Sequence, residues 1–190
     1  MFDRLCRLHV DDQRSLDIST QLDLFLRCPN LKNLGWADFE CTQINEHPIL
    51  DTNCIPEWQW NHLEDLAIHQ HFRDTQVAIL KGIAHGNLVD LILHDCHLEE
   101  QASMALRPHF STLVSLNLTG CRRLRSHIVR DVLLSCPRLE TLSAKAVRGR
   151  DVASRDPWAC QRLRMLSIGF LFRDTELDQL STKSLDAYRH

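Results

Sequence analysis

Nowhere does the chain carry an apolar run long enough to cross a bilayer, so no membrane-spanning helix is expected. The opening residues, Met1-Phe2-Asp3-Arg4-Leu5-Cys6-Arg7, bring charge at once and lack an apolar stretch, so they do not read as a secretory signal. None of the eight cysteines forms a Cys-x-x-Cys pair, so the usual zinc-finger and redox spacings are missing. Also missing are Gly-x-Ser-x-Gly, the phosphate-binding P-loop and Gly-x-Gly-x-x-Gly, and with them any pointer to an enzyme or a cofactor. A net charge of −3 offers no general pull toward nucleic acid. Without a signal peptide, the cysteines are expected to be thiols in a reducing compartment, cytoplasmic or nuclear.

What is present is a repeat. The 190 residues, 44% hydrophobic and 25% charged, suit one domain with a core and not a disordered chain. A pattern of leucine, two residues, leucine, one residue, apolar occurs seven times: Leu5-Leu8-Val10, Leu31-Leu34-Trp36, Leu63-Leu66-Ile68, Leu88-Leu91-Leu93, Leu113-Leu116-Leu118, Leu139-Leu142-Ala144 and Leu163-Leu166-Ile168. Successive first leucines are 26, 32, 25, 25, 26 and 24 residues apart. All but one of these steps fall in the period of roughly 20–29 residues of leucine-rich repeats. A second register agrees, since Phe72-Arg73-Asp74-Thr75 recurs as Phe172-Arg173-Asp174-Thr175, 100 residues on, the offset of Leu63 from Leu163.

Alternate side chains of a strand face opposite sides. Leu116 and Leu118 therefore point into a core, and Ser115, Asn117 and Thr119 away from it. Ile128, Val129, Val132 and Leu133 lie at helical spacing, with Ser126 as N-cap and Pro137 past the end. A second helix is predicted between Thr75 and Ala84, with Val77, Leu80 and Ile83 inward and Gly86 after it. One unit cannot bury its apolar face alone; stacked units bury it against one another. The expected fold is α/β: a leucine-rich-repeat solenoid of about seven repeats over residues 1–190, with a curved parallel sheet on the concave side and helices on the convex side. A doubly wound α/β sheet is the rival, but such sheets keep no fixed leucine register.

The cysteines follow the register. Cys96 and Cys121 each stand eight residues after a first leucine, the Asn/Cys position of the repeat. Cys28, Cys136 and Cys160 each stand three residues before one. Cys6, Cys41 and Cys54 have no such place. His69-Gln70-His71 and His94-Asp95-Cys96-His97 invite a metal reading. His71 and Cys96 should face inward, however, and His69 and His94 outward, so no metal site is expected.

The segments Cys136-Pro137-Arg138-Leu139-Glu140-Thr141-Leu142, Leu113-Val114-Ser115-Leu116-Asn117-Leu118-Thr119-Gly120-Cys121 and Pro157-Trp158-Ala159-Cys160-Gln161-Arg162-Leu163 carry a resemblance. The chain resembles cysteine-containing leucine-rich-repeat proteins of the ribonuclease-inhibitor-like superfamily, and within it the repeat regions of fungal F-box proteins. The resemblance implies a division of labour, in which an F-box recruits a Skp1-type adaptor of a cullin ubiquitin ligase and the repeats hold a protein substrate. Here the first repeat begins at Leu5, and no Leu-Pro-x-Glu F-box start occurs. The ligase complex is thus expected only if an F-box lies outside this chain. A fragment, an incomplete gene model and a stand-alone repeat adaptor or inhibitor all remain open.

The expected partner is a protein, with no nucleic acid and no membrane. The expected contact surface is the concave face, in the columns two, four and six residues after each first leucine. In the middle units these columns bring Asp65, Ala67 and His69 beside Asp90, Ile92 and His94, and then Ser115, Asn117 and Thr119. Adjacent aspartates repel. Two readings stay open, a solvated acidic patch and a dock for a Lys- or Arg-bearing segment with Ile92 as apolar contact. The long step from Leu31 to Leu63 holds Trp58 and Trp60, read either as packed on the neighbouring helix surface or as aromatic anchors on a partner-binding loop.

Overall fold

The computed structural model describes residues 4–12, 24, 27–38, 60–69, 79–83, 87–96, 98, 100–121, 124–148, 152 and 156–170. Seven strands run through them: β1 (Arg7–Asp12), β2 (Asn33–Asp38), β3 (Asp65–His69), β4 (Asp90–His94), β5 (Ser115–Leu118), β6 (Thr141–Val147) and β7 (Met165–Phe170). They form one sheet in the order β1-β2-β3-β4-β5-β6-β7, every pair parallel. Helix α1 (Glu100–Leu106), continued by a 3-10 turn (Arg107–His109), lies between β4 and β5 in the chain, and α2 (Ser126–Ser135) between β5 and β6. Among the described residues no helix is long and apolar enough to cross a membrane.

The pairing register follows the leucine spacing. Arg7 pairs Asn33, Asn33 pairs Asp65, Asp65 pairs Asp90, Asp90 pairs Ser115, Ser115 pairs Thr141 and Thr141 pairs Met165. These partners are 26, 32, 25, 25, 26 and 24 residues apart, the same steps as the first leucines. A backbone link recurs at every step. The carbonyl of the residue before each of β1 to β6 (Cys6, Lys32, Glu64, Val89, Val114, Glu140) accepts two amides of the next unit at 2.7–3.2 Å. The 32-residue step keeps the same pairing and the same backbone link as the others.

Alternation decides which face is covered. Leu34, Trp36, Leu66, Ile68, Leu91, Leu93, Leu116, Leu118, Leu142 and Ala144 are buried along one face, and so are the leading Leu31, Leu63, Leu88, Leu113 and Leu139. Each such leucine contributes on the order of 2 kcal/mol through removal from water. The opposite face of β3, β4 and β5 is only half-buried. Doubly wound sheets reverse their strand order and cover both faces; this sheet does neither along those strands.

The helical layer closes the core. Ile128, Val129, Val132 and Leu133 of α2 are fully buried, at the predicted spacing. Ser126 is not the cap: Arg125 holds that place without a side-chain bond. The Ser126 hydroxyl instead accepts the Arg148 amide at 2.9 Å, tying the helix start to the end of β6. Of the helix predicted between Thr75 and Ala84, residues 79–82 are described and helical, with Ile79, Leu80 and Ile83 buried. Val77, Gly86 and the two Phe-Arg-Asp-Thr segments lie outside the described residues. His109, fully buried, joins two neighbouring helical segments by a 3.2 Å bond between its Nε2 and the Leu80 carbonyl.

The five cysteines with a repeat position, Cys28, Cys96, Cys121, Cys136 and Cys160, are buried thiols, whereas Cys6 is exposed. Cys96 and Cys121 each donate to a carbonyl of the preceding unit, Ile68 at 3.6 Å and Leu93 at 3.0 Å. Burial pushes the Cys136 thiol up to about 12, the nearby Cys160 adding to the effect. A thiol held protonated is an inert packing group, not a nucleophile. Cys41 and Cys54 lie outside the described residues.

Candidate outer-face binding site

The half-buried sheet face presents its side chains in columns because the parallel register stacks equivalent positions. The first column runs Arg7, Asn33, Asp65, Asp90, Ser115, Thr141, Met165. The second runs His9, Gly35, Ala67, Ile92, Asn117, Ser143, Ser167. Across β1 to β4 these columns enclose a depression of about 340 Å³, lined by Arg7, His9, Asn33, Gly35, Asp65, Ala67, Asp90 and Ile92 together with the intervening Leu8, Leu34 and Leu66. Gly35 and Ala67 are the two smallest side chains in the second column. A Cβ at Gly35 would lie 2.2 Å from His9 Nδ1, so the imidazole leans over the glycine and occupies its space.

Electrostatics set one end apart. Asp65 and Asp90 are register partners on β3 and β4. Partial burial comes first in pushing the Asp65 carboxyl above its ordinary value, followed by the charges of Asp90 and Glu64. A hydrogen bond shared with Asp90, which needs a proton on one of the two carboxyls, acts the same way. The Asn33 carboxamide opposes the rise by donating to Asp65. Lys32, the cation next to this group, pairs with Glu64 at 3.4 Å.

The structure thus brings together Asp65, Asp90 and Ile92 of the expected residues. His69 and His94 form a separate pair in the third column, ring centroids 5.4 Å apart and tilted by 32°. Asp95 orients His94 by a 3.1 Å contact between its Oδ2 and Nδ1. Asp95 is itself in the left-handed region, with φ 55°. Gly120, φ 81°, holds the same place one unit later, seven residues after the first leucine. That glycine was the available signal for a left-handed position, since Asp tolerates it where larger residues do not. Asn117 flanks the depression beside Ile92 and uses its carboxamide oxygen to accept the Thr119 amide at 2.9 Å.

Trp60 is a correction to the loop-anchor reading. It is 2% exposed, packs within the core, and forms an isolated parallel bridge with Ile83, so it offers no surface to a partner. It stands three residues before Leu63, the place taken by Cys28, Cys136 and Cys160 before their leucines. There its carbonyl accepts the Leu63 amide at 3.5 Å, as the Cys28 carbonyl accepts that of Leu31 at 3.3 Å. Counting back from Leu63 would have placed it. Trp58 lies outside the described residues, as do His71 and His97. Arg7, His9, Asn33 and Gly35 join the site from the first two strands, where the same columns, continued to β1 and β2, place all four.

Compared with protein-family models, curated proteins and solved structures, the chain matches none of them.

Proposed function

We propose that the chain is a leucine-rich-repeat solenoid that serves as a protein-binding scaffold, with the outer face of β1 to β4 as its contact surface. The observation that carries this reading is the depression on that face. It combines a small-residue floor, an apolar wall and unbalanced charge on a surface whose opposite side packs on the core. Support for the repeat comes from the six equal backbone links and from the buried cysteines at equivalent positions. Neighbouring strands lie roughly 4.8 Å apart in such a sheet. Side chains from distant parts of the chain therefore form a continuous surface suited to a polypeptide.

Within that class, the resemblance to fungal F-box repeat regions favours the substrate-holding part of a cullin-type ubiquitin ligase subunit over a stand-alone adaptor or inhibitor. No catalytic role is assigned to any residue. The test is affinity capture from the native source, comparing the wild-type chain with Asp65→Lys/Asp90→Lys. Retention of a protein by wild type and its loss in the double variant supports the contact surface. Co-purification of a Skp1-type adaptor in a complex with the natural gene product supports the ligase assignment, and its absence the stand-alone one. Equal retention by both forms at low salt, where surface charge acts most strongly, overturns the contact surface.

A further inference from the structure

We infer that the depression reads an extended segment of a partner protein in which an arginine and an acidic residue stand four positions apart, the arginine on Asp65 and Asp90 and the acid on Arg7. The inference rests on the protein-binding reading above and names the chemistry of the occupant.

The two ends of the depression carry opposite charge. Arg7 is exposed at the β1 end, and Asp65 and Asp90 stand at the β3–β4 end. Among the described residues none of the three makes an ion pair. Two carboxylates on adjacent strands match the planar fork of a guanidinium, whose paired donors take both at once. Lysine, a point charge, gains less from such a pair. The arginine stem needs an apolar rest for its methylenes, and Ala67 and Ile92 lie next to the aspartates in the adjoining column. A bound guanidinium would also relieve the mutual repulsion of the two aspartates.

Spacing sets the register. With strands about 4.8 Å apart, Arg7 lies roughly 12 Å from the midpoint of Asp65 and Asp90. An extended segment crossing the strands rises about 3.3 Å per residue and alternates its side chains, so residues i and i+4 share a side and are about 13 Å apart. The same-side residue between them, i+2, falls over Asn33 and Gly35, where the His9 ring already leans in. It must therefore be small. A nucleic acid or an anionic lipid surface would set its phosphates against Asp65 and Asp90, which disfavours both.

The probe is a set of capped pentapeptides titrated into the full chain at low salt and followed by amide NMR. One peptide is acetyl-Glu-Ser-Ala-Ser-Arg-amide; the second has the same composition with Glu and Arg adjacent; the third replaces Arg by Gln. The first is expected to bind about fivefold tighter than either of the others, the size of one exposed ion pair. Its shifts should centre on Gly35, Ala67 and Ile92. Asp65→Asn/Asp90→Asn and Arg7→Gln should each erase the preference while melting no lower than wild type does. Equal affinities for the three peptides, an unchanged preference in either variant, or no binding by any peptide would overturn the inference. Charge-independent shifts elsewhere on the same face would overturn it too, while leaving the broader scaffold reading in place. A lysine peptide that binds as well as the arginine one would overturn the forked recognition.

Discussion

The middle strand β5 and the last strand β7 carry the same motif and meet different fates. Leu116 and Leu118 of β5 are fully buried, whereas Leu166 of β7 is 40% exposed and Ile168 only partly covered. Met165 and Phe170 are exposed as well. The register does not differ, for Leu142 pairs Leu166 just as Leu116 pairs Leu142. What differs is the number of neighbours: among the described residues β5 lies between β4 and β6, while β7 has only β6 beside it in the sheet. The leucines of a strand are thus buried by the strands on either side, so their contribution depends on those neighbours and not on the strand alone.

That contrast breaks most easily at the leucines. Leu116→Asp places a charge in a dry interior, at a cost of several kcal/mol, comparable with a small domain's whole stability. Leu166→Asp leaves its carboxylate in contact with water and should cost far less. Thermal unfolding followed by circular dichroism is expected to show no folded baseline for the first and a modest shift for the second. Similar losses would mean that β7 is covered as β5 is.

A smaller effect compares two glycines. Gly120, just past β5, has a left-handed φ of 81°, and a Cβ there would come within 2.6 Å of Asp95 Oδ1. Gly120→Ala should cost about 1–2 kcal/mol from the backbone alone. Gly169 in β7 has room, its nearest contact being Lys145 Cγ at 3.4 Å. Gly169→Ala should leave the melting temperature unchanged or slightly raised, since alanine suits a strand better than glycine. Denaturant titration of both variants checks the pair.

Thiol chemistry sharpens the contrast at little cost to stability. Cys6, exposed beside β1, should react with iodoacetamide in the native state. Cys136, buried and with its thiol pushed up to about 12, should react only after denaturation. Peptide mapping by mass spectrometry reads each site separately; early labelling of Cys136 would show that the middle units open locally.

The smallest effect concerns the outer face, where neighbours repel instead of packing. Asp65 has a folded-state pKa above its unfolded value of 3.8, set by burial and by Asp90. The native state therefore holds its proton longer, and stability falls as pH rises from the unfolded value through the folded one. Above that window the cost is complete. Asp65→Asn should raise stability at pH 7, by less than about 1 kcal/mol for a pair of side chains of this kind. The gain should vanish below the unfolded value. A destabilised variant at pH 7 would mean that the Asn33 bond outweighs the repulsion.

Much of the fold was legible because two periodicities are written into the chain. Alternation within each motif tells inward from outward residues, and the distance between motifs sets the pairing partner, so Asp65 beside Asp90 and His69 beside His94 follow from counting. Five cysteines were legible for the same reason. Less legible were side chains whose role depends on another unit. Ser126 looks like a cap to any local reading, yet its hydroxyl serves Arg148. Trp60 has a register position three residues before Leu63, but only its bridge to Ile83 and its burial show it in the core.

By itself, then, the sequence determined which residues face the core and which strand lies beside which, since both depend on spacing along the chain. Only the tertiary structure decided the shape and charge of the candidate site. The depression takes its shape from the His9 imidazole settled over Gly35, and its charge from Asp65 and Asp90 side by side, with Asn33 donating to Asp65. Each of these sets a side chain against a residue of a different unit. Such contacts depend on rotamers and on the free space left by neighbours, which no single unit specifies.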